Sequence, residues 1–148
     1  MNCKALSASL FLSAFSALAW SGELTGLWQE YDDRTGKVEA LIRIEQVAGH
    51  TYEGKIEKLI PDVAGSAARI CSRCSGSLHD QPLQGMRILY GMKRHDALNF
   101  DGGQIVDPED GRVYSCHIRL SEDGESLQVT GYIGAKWLGQ SETWRRAK

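Results

Sequence analysis

Gly26-Leu27-Trp28-Gln29-Glu30-Tyr31, Asp32-Asp33-Arg34-Thr35-Gly36 and Lys37-Val38-Glu39-Ala40-Leu41-Ile42-Arg43-Ile44-Glu45-Gln46 follow one another in the chain and read as strand, tight turn and strand. In the third stretch Val38, Ala40, Ile42 and Ile44 fall on one face, with Glu39, Arg43 and Glu45 on the other. A period of two gathers apolar side chains into one surface only when the backbone is extended, so this is a half-buried strand. The turn before it combines Asp, which accepts hydrogen bonds from its own turn, with Gly36, which tolerates positive φ.

The same pattern continues in both halves of the chain. Thr51 to Ile60 alternates Tyr52, Gly54 and Ile56 with Glu53, Lys55 and Glu57, until Pro61, which has no N–H to donate, ends the ladder. Strands are expected at Met86–Lys93 and Leu98–Val106, and at Arg112–Leu120, where Tyr114, Cys116, Ile118 and Leu120 share a face. Leu127, Val129, Gly131 and Ile133 line the inner face of a seventh strand, and an eighth runs from about Trp137 or Leu138 to Arg145. Asp107-Pro108-Glu109-Asp110-Gly111 and Ser121-Glu122-Asp123-Gly124-Glu125 are turn sequences between them. No stretch shows a convincing amphipathic helix. The predicted fold class is all-β, an eight-stranded antiparallel barrel in preference to a two-sheet sandwich, because a meander whose first and last strands pair leaves no exposed edge.

Two segments fall outside the pattern. From Pro61 to Gly85 the apolar period is lost, giving a long loop, about 61–85, that carries Cys71 and Cys74; loops of this length carry function or need a covalent tie. At the start, Lys4 precedes an uncharged apolar run from Ala5 to Ala19 that ends Ala17-Leu18-Ala19 before Trp20. That is the layout of a cleavable signal peptide, too short to span a bilayer, so residues 1–19 are expected to be removed and the protein to be periplasmic or secreted. The remainder, residues 20–148, is 129 residues long (148 less 19), enough for one domain with one core. Net charge moves from −2 to −3, since Lys4 is the only charge lost. A mildly acidic chain without a basic block gives no reason to expect nucleic acid, and no transmembrane segment is expected.

Three cysteines stay after cleavage. A Cys71–Cys74 bridge closes a short loop and gains about 2 kcal/mol in the chain-entropy model, whereas a bridge from either to Cys116 closes about 45 residues and gains about 4. Stability favours the long bridge and proximity the short one. The preferred reading is Cys71–Cys74, with Cys116 a free thiol because it sits in the apolar row of its strand.

Gly26-Leu27-Trp28 at the start of the first strand, with Trp144-Arg145-Arg146 at the end of the last, resembles the calycin signature of lipocalins and fatty-acid-binding proteins. There a Trp at the barrel base packs under an Arg from the C-terminal segment, a cation–π contact of roughly 0.5–2 kcal/mol. A second set of motifs is more specific. Cys71-x-x-Cys74, Gly102-Gly103-x-Ile105-x-Asp107-Pro108-x-x-Gly111-x-x-Tyr114-x-Cys116, Gly131-Tyr132-Ile133-Gly134 and Leu138-Gly139-x-x-x-x-Trp144-x-Arg146 resemble the exported bacterial family called domain of unknown function 2147. The chain departs from that family's pattern at Gln140, where an Arg is common, and near Phe100, where a Trp is. The resemblance implies export and a lipocalin-like barrel, and it transfers no catalytic residue.

The chemistry-bearing residues exclude more than they assign. Cys71 and Cys74 could support thiol exchange, with Arg69 and Arg73 favouring a thiolate, but the helix N-terminus that activates such pairs is missing. Cys71, Cys74, His79, Cys116 and His117 could in principle ligate zinc, yet neighbours in a strand point to opposite faces, which separates Cys116 from His117. There is no Gly-x-Ser-x-Gly elbow and no His-Glu-x-x-His pair, and the four histidines are scattered. The reading leans to a non-enzymatic protein without a cofactor or metal, holding a small apolar or amphipathic ligand or an envelope component. The expected pocket residues are Tyr52, Tyr90, Met92, Phe100, Tyr114 and Trp137. The alternative is a redox or metal protein centred on Cys71 and Cys74.

Overall fold

The computed structural model describes residues 23–61 and 69–148; the signal-peptide segment and part of the expected loop lie outside the described residues. Eight antiparallel strands form a closed barrel in chain order: β1 (Gly26–Tyr31), β2 (Val38–Val47), β3 (Thr51–Leu59), β4 (Arg87–Arg94), β5 (Asn99–Val106), β6 (Val113–Leu120), β7 (Ser126–Tyr132) and β8 (Gln140–Arg146). The barrel shuts where β1 meets β8, with Trp28 opposite Arg146 and Gln29 opposite Arg145. Because every strand is hydrogen-bonded on both sides, no edge is left as a template for another chain.

The expected strands are all present, with three local differences. Trp137 and Leu138 belong to a single 3-10 turn, Lys136–Leu138, and β8 begins only at Gln140. Ile133 is exposed, one residue past the end of β7. Tyr90 points outward because β4 carries an extra residue against β3: Tyr52 pairs with Met92 while Gly54 pairs with Leu89. A second extra residue follows, since Lys55 pairs with Arg87; the first reverses the alternation at Tyr90 and the second restores it, so Ile88 and Leu89 are both buried and Tyr90 is not.

Antiparallel order gives the cylinder two unlike ends. The β2–β3, β4–β5 and β6–β7 hairpins lie at one, with the entry to β1 and the exit from β8. The turns 32–37 and 107–112, the long loop after β3 and the segment 133–139 lie at the other. The first end is packed. Trp28, Trp144, Phe100, Met92, Leu24, Leu120 and Leu127 have no exposed surface there. Arg146 lies across the Trp28 ring, its guanidinium carbon 4.2 Å from the ring centre. It donates to the carbonyls of Gly124 (2.8 Å), Thr25 (3.1 Å) and Glu23 (2.7 Å), and the Trp28 indole donates to the Leu24 carbonyl at 3.0 Å. The Arg at the base is thus Arg146; Arg145, on the opposite face of β8, is exposed. Gly26 is glycine for a physical reason: its φ is +140°, and a Cβ there would sit 2.5 Å from the Arg146 guanidinium.

Candidate functional site

At the other end the inner rows change character within two residues. On β1 the side chain after Trp28 on the same face is Glu30; on β8 the one preceding Trp144 is Glu142. Register brings small partners against them, since Glu30 pairs with Ala40 and Glu142 with Val129. On β7 the inward row shrinks from Leu127 through Val129 to Gly131. Short side chains on neighbouring strands leave the upper half unfilled, and a cavity of about 760 Å³ opens there. Ala40, Ile56, Ile88, Val106 and Val129 form its apolar floor, and turns 32–34 and 107–110 form its rim.

Glu30 is the deepest polar group in it. It is half-buried, its carboxyl opens to the cavity, and no donor among the described residues reaches it. Burial, reinforced by the charges of Glu142, Glu39, Asp107 and Glu109, pushes its pKa from 4.5 up to about 8. Burial also raises Glu142, against the hydrogen bond that the Trp144 indole donates to its Oε2 at 3.0 Å. Three of the rim acids are otherwise engaged. Asp32 accepts from the Arg34 and Thr35 amides at 2.9 and 2.7 Å, Asp107 from the Glu109 amide at 2.8 Å, and Asp110 from the Arg112 amide at 2.8 Å and from the Tyr114 hydroxyl. These bonds shape the turns.

The long loop is tied to this rim. Cys71 and Cys74 are joined, Sγ–Sγ 1.93 Å, and Cys116 is a buried free thiol. The loop has one 3-10 turn, Gly76–Leu78, and an isolated bridge between Ile70 and Pro82. Arg73 donates to the Glu109 carbonyl at 3.0 Å, and Gly111, at φ +74°, lies so close to the Arg73 backbone that no Cβ could be accommodated. Both sulfurs are buried, Cys71 at 0% and Cys74 at 4% exposure, so a thiolate could attack neither without the loop opening. Burial pushes the Cys116 thiol up to about 12, far from a reactive thiolate. Among the described residues no three His, Cys, Asp or Glu side chains are grouped to hold a metal ion.

The chain from Gly26 to Arg146 matches the family model described as an uncharacterized protein conserved in bacteria, DUF2147. The chain belongs to this family. Among solved structures, this DUF2147 member is similar to protein HP1028 from the human pathogen Helicobacter pylori, described as belonging to the lipocalin family. The two share 21% identity with a TM-score of 0.70, over 85% of this chain and 84% of the other. At that identity the likeness establishes the fold, a lipocalin-like barrel. No curated protein is similar to this DUF2147 chain.

The six residues expected to line a pocket are dispersed. Tyr52, Met92 and Phe100 form part of the packed base, where Tyr52 meets Phe100 edge-on at 5.3 Å between ring centres and Arg94 lies 4.6 Å over the Phe100 ring. Tyr90 stands outside the barrel in a shallow depression of about 680 Å³ between β2–β4 and the long loop. Trp137 is 83% exposed. Only Tyr114 reaches the mouth cavity. The expectation favoured large aromatics, whose volume is what fills the base; the hollow lies where side chains are short or charged. Glu30 and Glu142 were missed, although a signal existed: each stands two residues from a buried Trp, and period two puts it on the same inward face.

Proposed function

We propose that this protein is an exported binding protein that holds a small amphipathic molecule in the mouth of its barrel, without a catalytic set of its own. The observation that carries the reading is the division of the interior: a base plugged by stacked indole and guanidinium, and above it a cavity of about 760 Å³ with an apolar floor and a polar rim. A closed eight-stranded barrel is just wide enough to be filled by side chains or to hold one small ligand. This one does the first at the base and leaves space for the second at the mouth. Recognition by apolar contact below and a few fixed polar groups above is how concave small-molecule sites work. The signal-peptide layout of residues 1–19 supports export.

Native mass spectrometry of protein taken from its own host tests both parts, since the mass reads the N-terminus and any molecule carried along. The expected species begins at Trp20. A titration with a fluorescent lipid probe should saturate at one site and be abolished in Ala40→Phe, whose ring would occupy the cavity floor. Probe binding unaffected by that substitution, or none to the wild type, would sink the reading.

A further inference from the structure

The mouth cavity is lined by eight carboxyl groups and two guanidinium groups. One of the two, Arg34, is already paired with Asp32 at 3.2 Å. Sign alone would not make a site, because surface turns are commonly acidic, and Asp32, Asp107 and Asp110 serve their own turns here. Glu30 differs in kind. It is rooted in a strand and not a turn, it points into the barrel from the inward row of Trp28, and it lacks a donor among the described residues. Its carboxyl oxygens keep accessible surface toward the cavity, so they are free to meet whatever enters it. Glu142, from the opposite end of the chain, faces the same space with one oxygen on the Trp144 indole and the other without a protein donor among the described residues.

We infer that the ligand is an amphipathic organic cation, an ammonium group carrying a short apolar chain, with the charged head between Glu30 and Glu142 and the chain on the floor formed by Ile56, Ile88 and Val129. This rests on the binding role proposed above and names its ligand class. An ammonium brings several N–H donors and a positive charge to the place where the barrel offers carboxyl oxygens without donors. A neutral or anionic amphiphile of the same length would satisfy neither Glu30 nor the field of Glu142, Glu39, Asp107 and Glu109. The groups facing Glu30 make binding proton-coupled. Those four carboxylates raise its proton affinity from β8, β2 and the β5–β6 turn, while Arg69 of the long loop and Tyr114 of β6 stand at the cavity's edge. At pH 7 the Glu30 carboxylic acid therefore gives its proton to solvent as the ammonium enters, and the product is a carboxylate–ammonium pair.

The test compares octylammonium, 1-octanol and octanoate by calorimetry on the purified protein, in two buffers of different ionisation enthalpy at pH 7. Octylammonium should bind at least roughly tenfold more tightly than octanol, as charge-assisted hydrogen bonds require. Octanoate should bind more weakly than octanol, and up to one proton should be released per ammonium bound and none per octanol. Glu30→Gln and Glu142→Gln should each erase most of the ammonium preference while leaving octanol affinity within about twofold; having two variants keeps the result readable should one fail to fold. Equal affinity for octanol and octylammonium, preference for octanoate, or an ammonium preference that survives both substitutions overturns the cation inference and leaves the binding role standing. Binding of none of the three overturns both.

Discussion

The base and the mouth of this barrel are built from the same strands, often two residues apart, and have opposite physics. At the base, each polar group has a partner: the Arg146 guanidinium reaches three carbonyls and an indole face, and the Trp28 N–H has the Leu24 carbonyl. At the mouth, Glu30 opens half-buried into the cavity with no donor among the described residues. Stability is concentrated where packing is complete, which lets the other end keep a cavity and a carboxyl that a folding requirement alone would remove. The same division appears in the termini, because β1 and β8 supply both the Trp28–Arg146 closure and the Glu30–Glu142 pair.

The largest effect should come from breaking the base. Trp28→Ala removes a fully buried indole and the surface on which Arg146 lies, and should cost about 3–5 kcal/mol. Denaturant unfolding with the slope held constant reads it. A loss under about 1 kcal/mol would mean that the base does not hold the barrel shut.

Glu30→Gln should act in the other direction, by an amount that grows as pH rises above about 4.5. The folded carboxyl has its pKa raised from 4.5 to about 8, so between those values the native state holds a proton that the unfolded chain gives up. Stability associated with Glu30 is therefore whole below pH 4.5, declines as pH rises, and is lost above about 8. The variant should match the wild type near pH 4 and exceed it by about 2–4 kcal/mol at pH 9, water in the cavity screening part of the full penalty. Parallel pH–stability curves for the two proteins would show that Glu30 is not held in the enclosed mouth.

The smallest effect should follow from opening the staple. Replacing Cys71 and Cys74 together by Ser should lower stability by about 2 kcal/mol, the entropy of a short closed loop. Hydrogen exchange should localise the change to the long loop and the 107–112 turn, which Arg73 and Gly111 bring into contact, and leave the amides around Trp28 and Trp144 protected. Faster exchange at the base would mean that the two ends are one cooperative unit.

Several of these features were legible in the residues alone. Gly26–Tyr31 is a strand with the bounds expected of it, and the other strands begin and end within about three residues of their expected places. The Cys71–Cys74 bridge and the buried Cys116 were read from spacing and from the apolar row Tyr114, Cys116, Ile118. Tyr90 was misplaced because two irregularities on β4 each add a residue without leaving a mark in the hydrophobic pattern, and the side chains between them change face while Ile88 and Met92 stay buried. The pocket was misplaced because aromatic volume was taken to mark a binding surface, when in this barrel it marks the plug.

A two-residue period and turn chemistry are local, so each hairpin declares itself, and the residues alone specify an antiparallel meander of eight strands with a Trp in the first and an Arg in the last. Which end is solid and which hollow is settled once the barrel closes. That depends on the summed volumes of inward side chains contributed by strands far apart in the chain, and on a closure that brings Glu30 and Glu142 into one cavity. No local pattern records how much space the distant partners will leave.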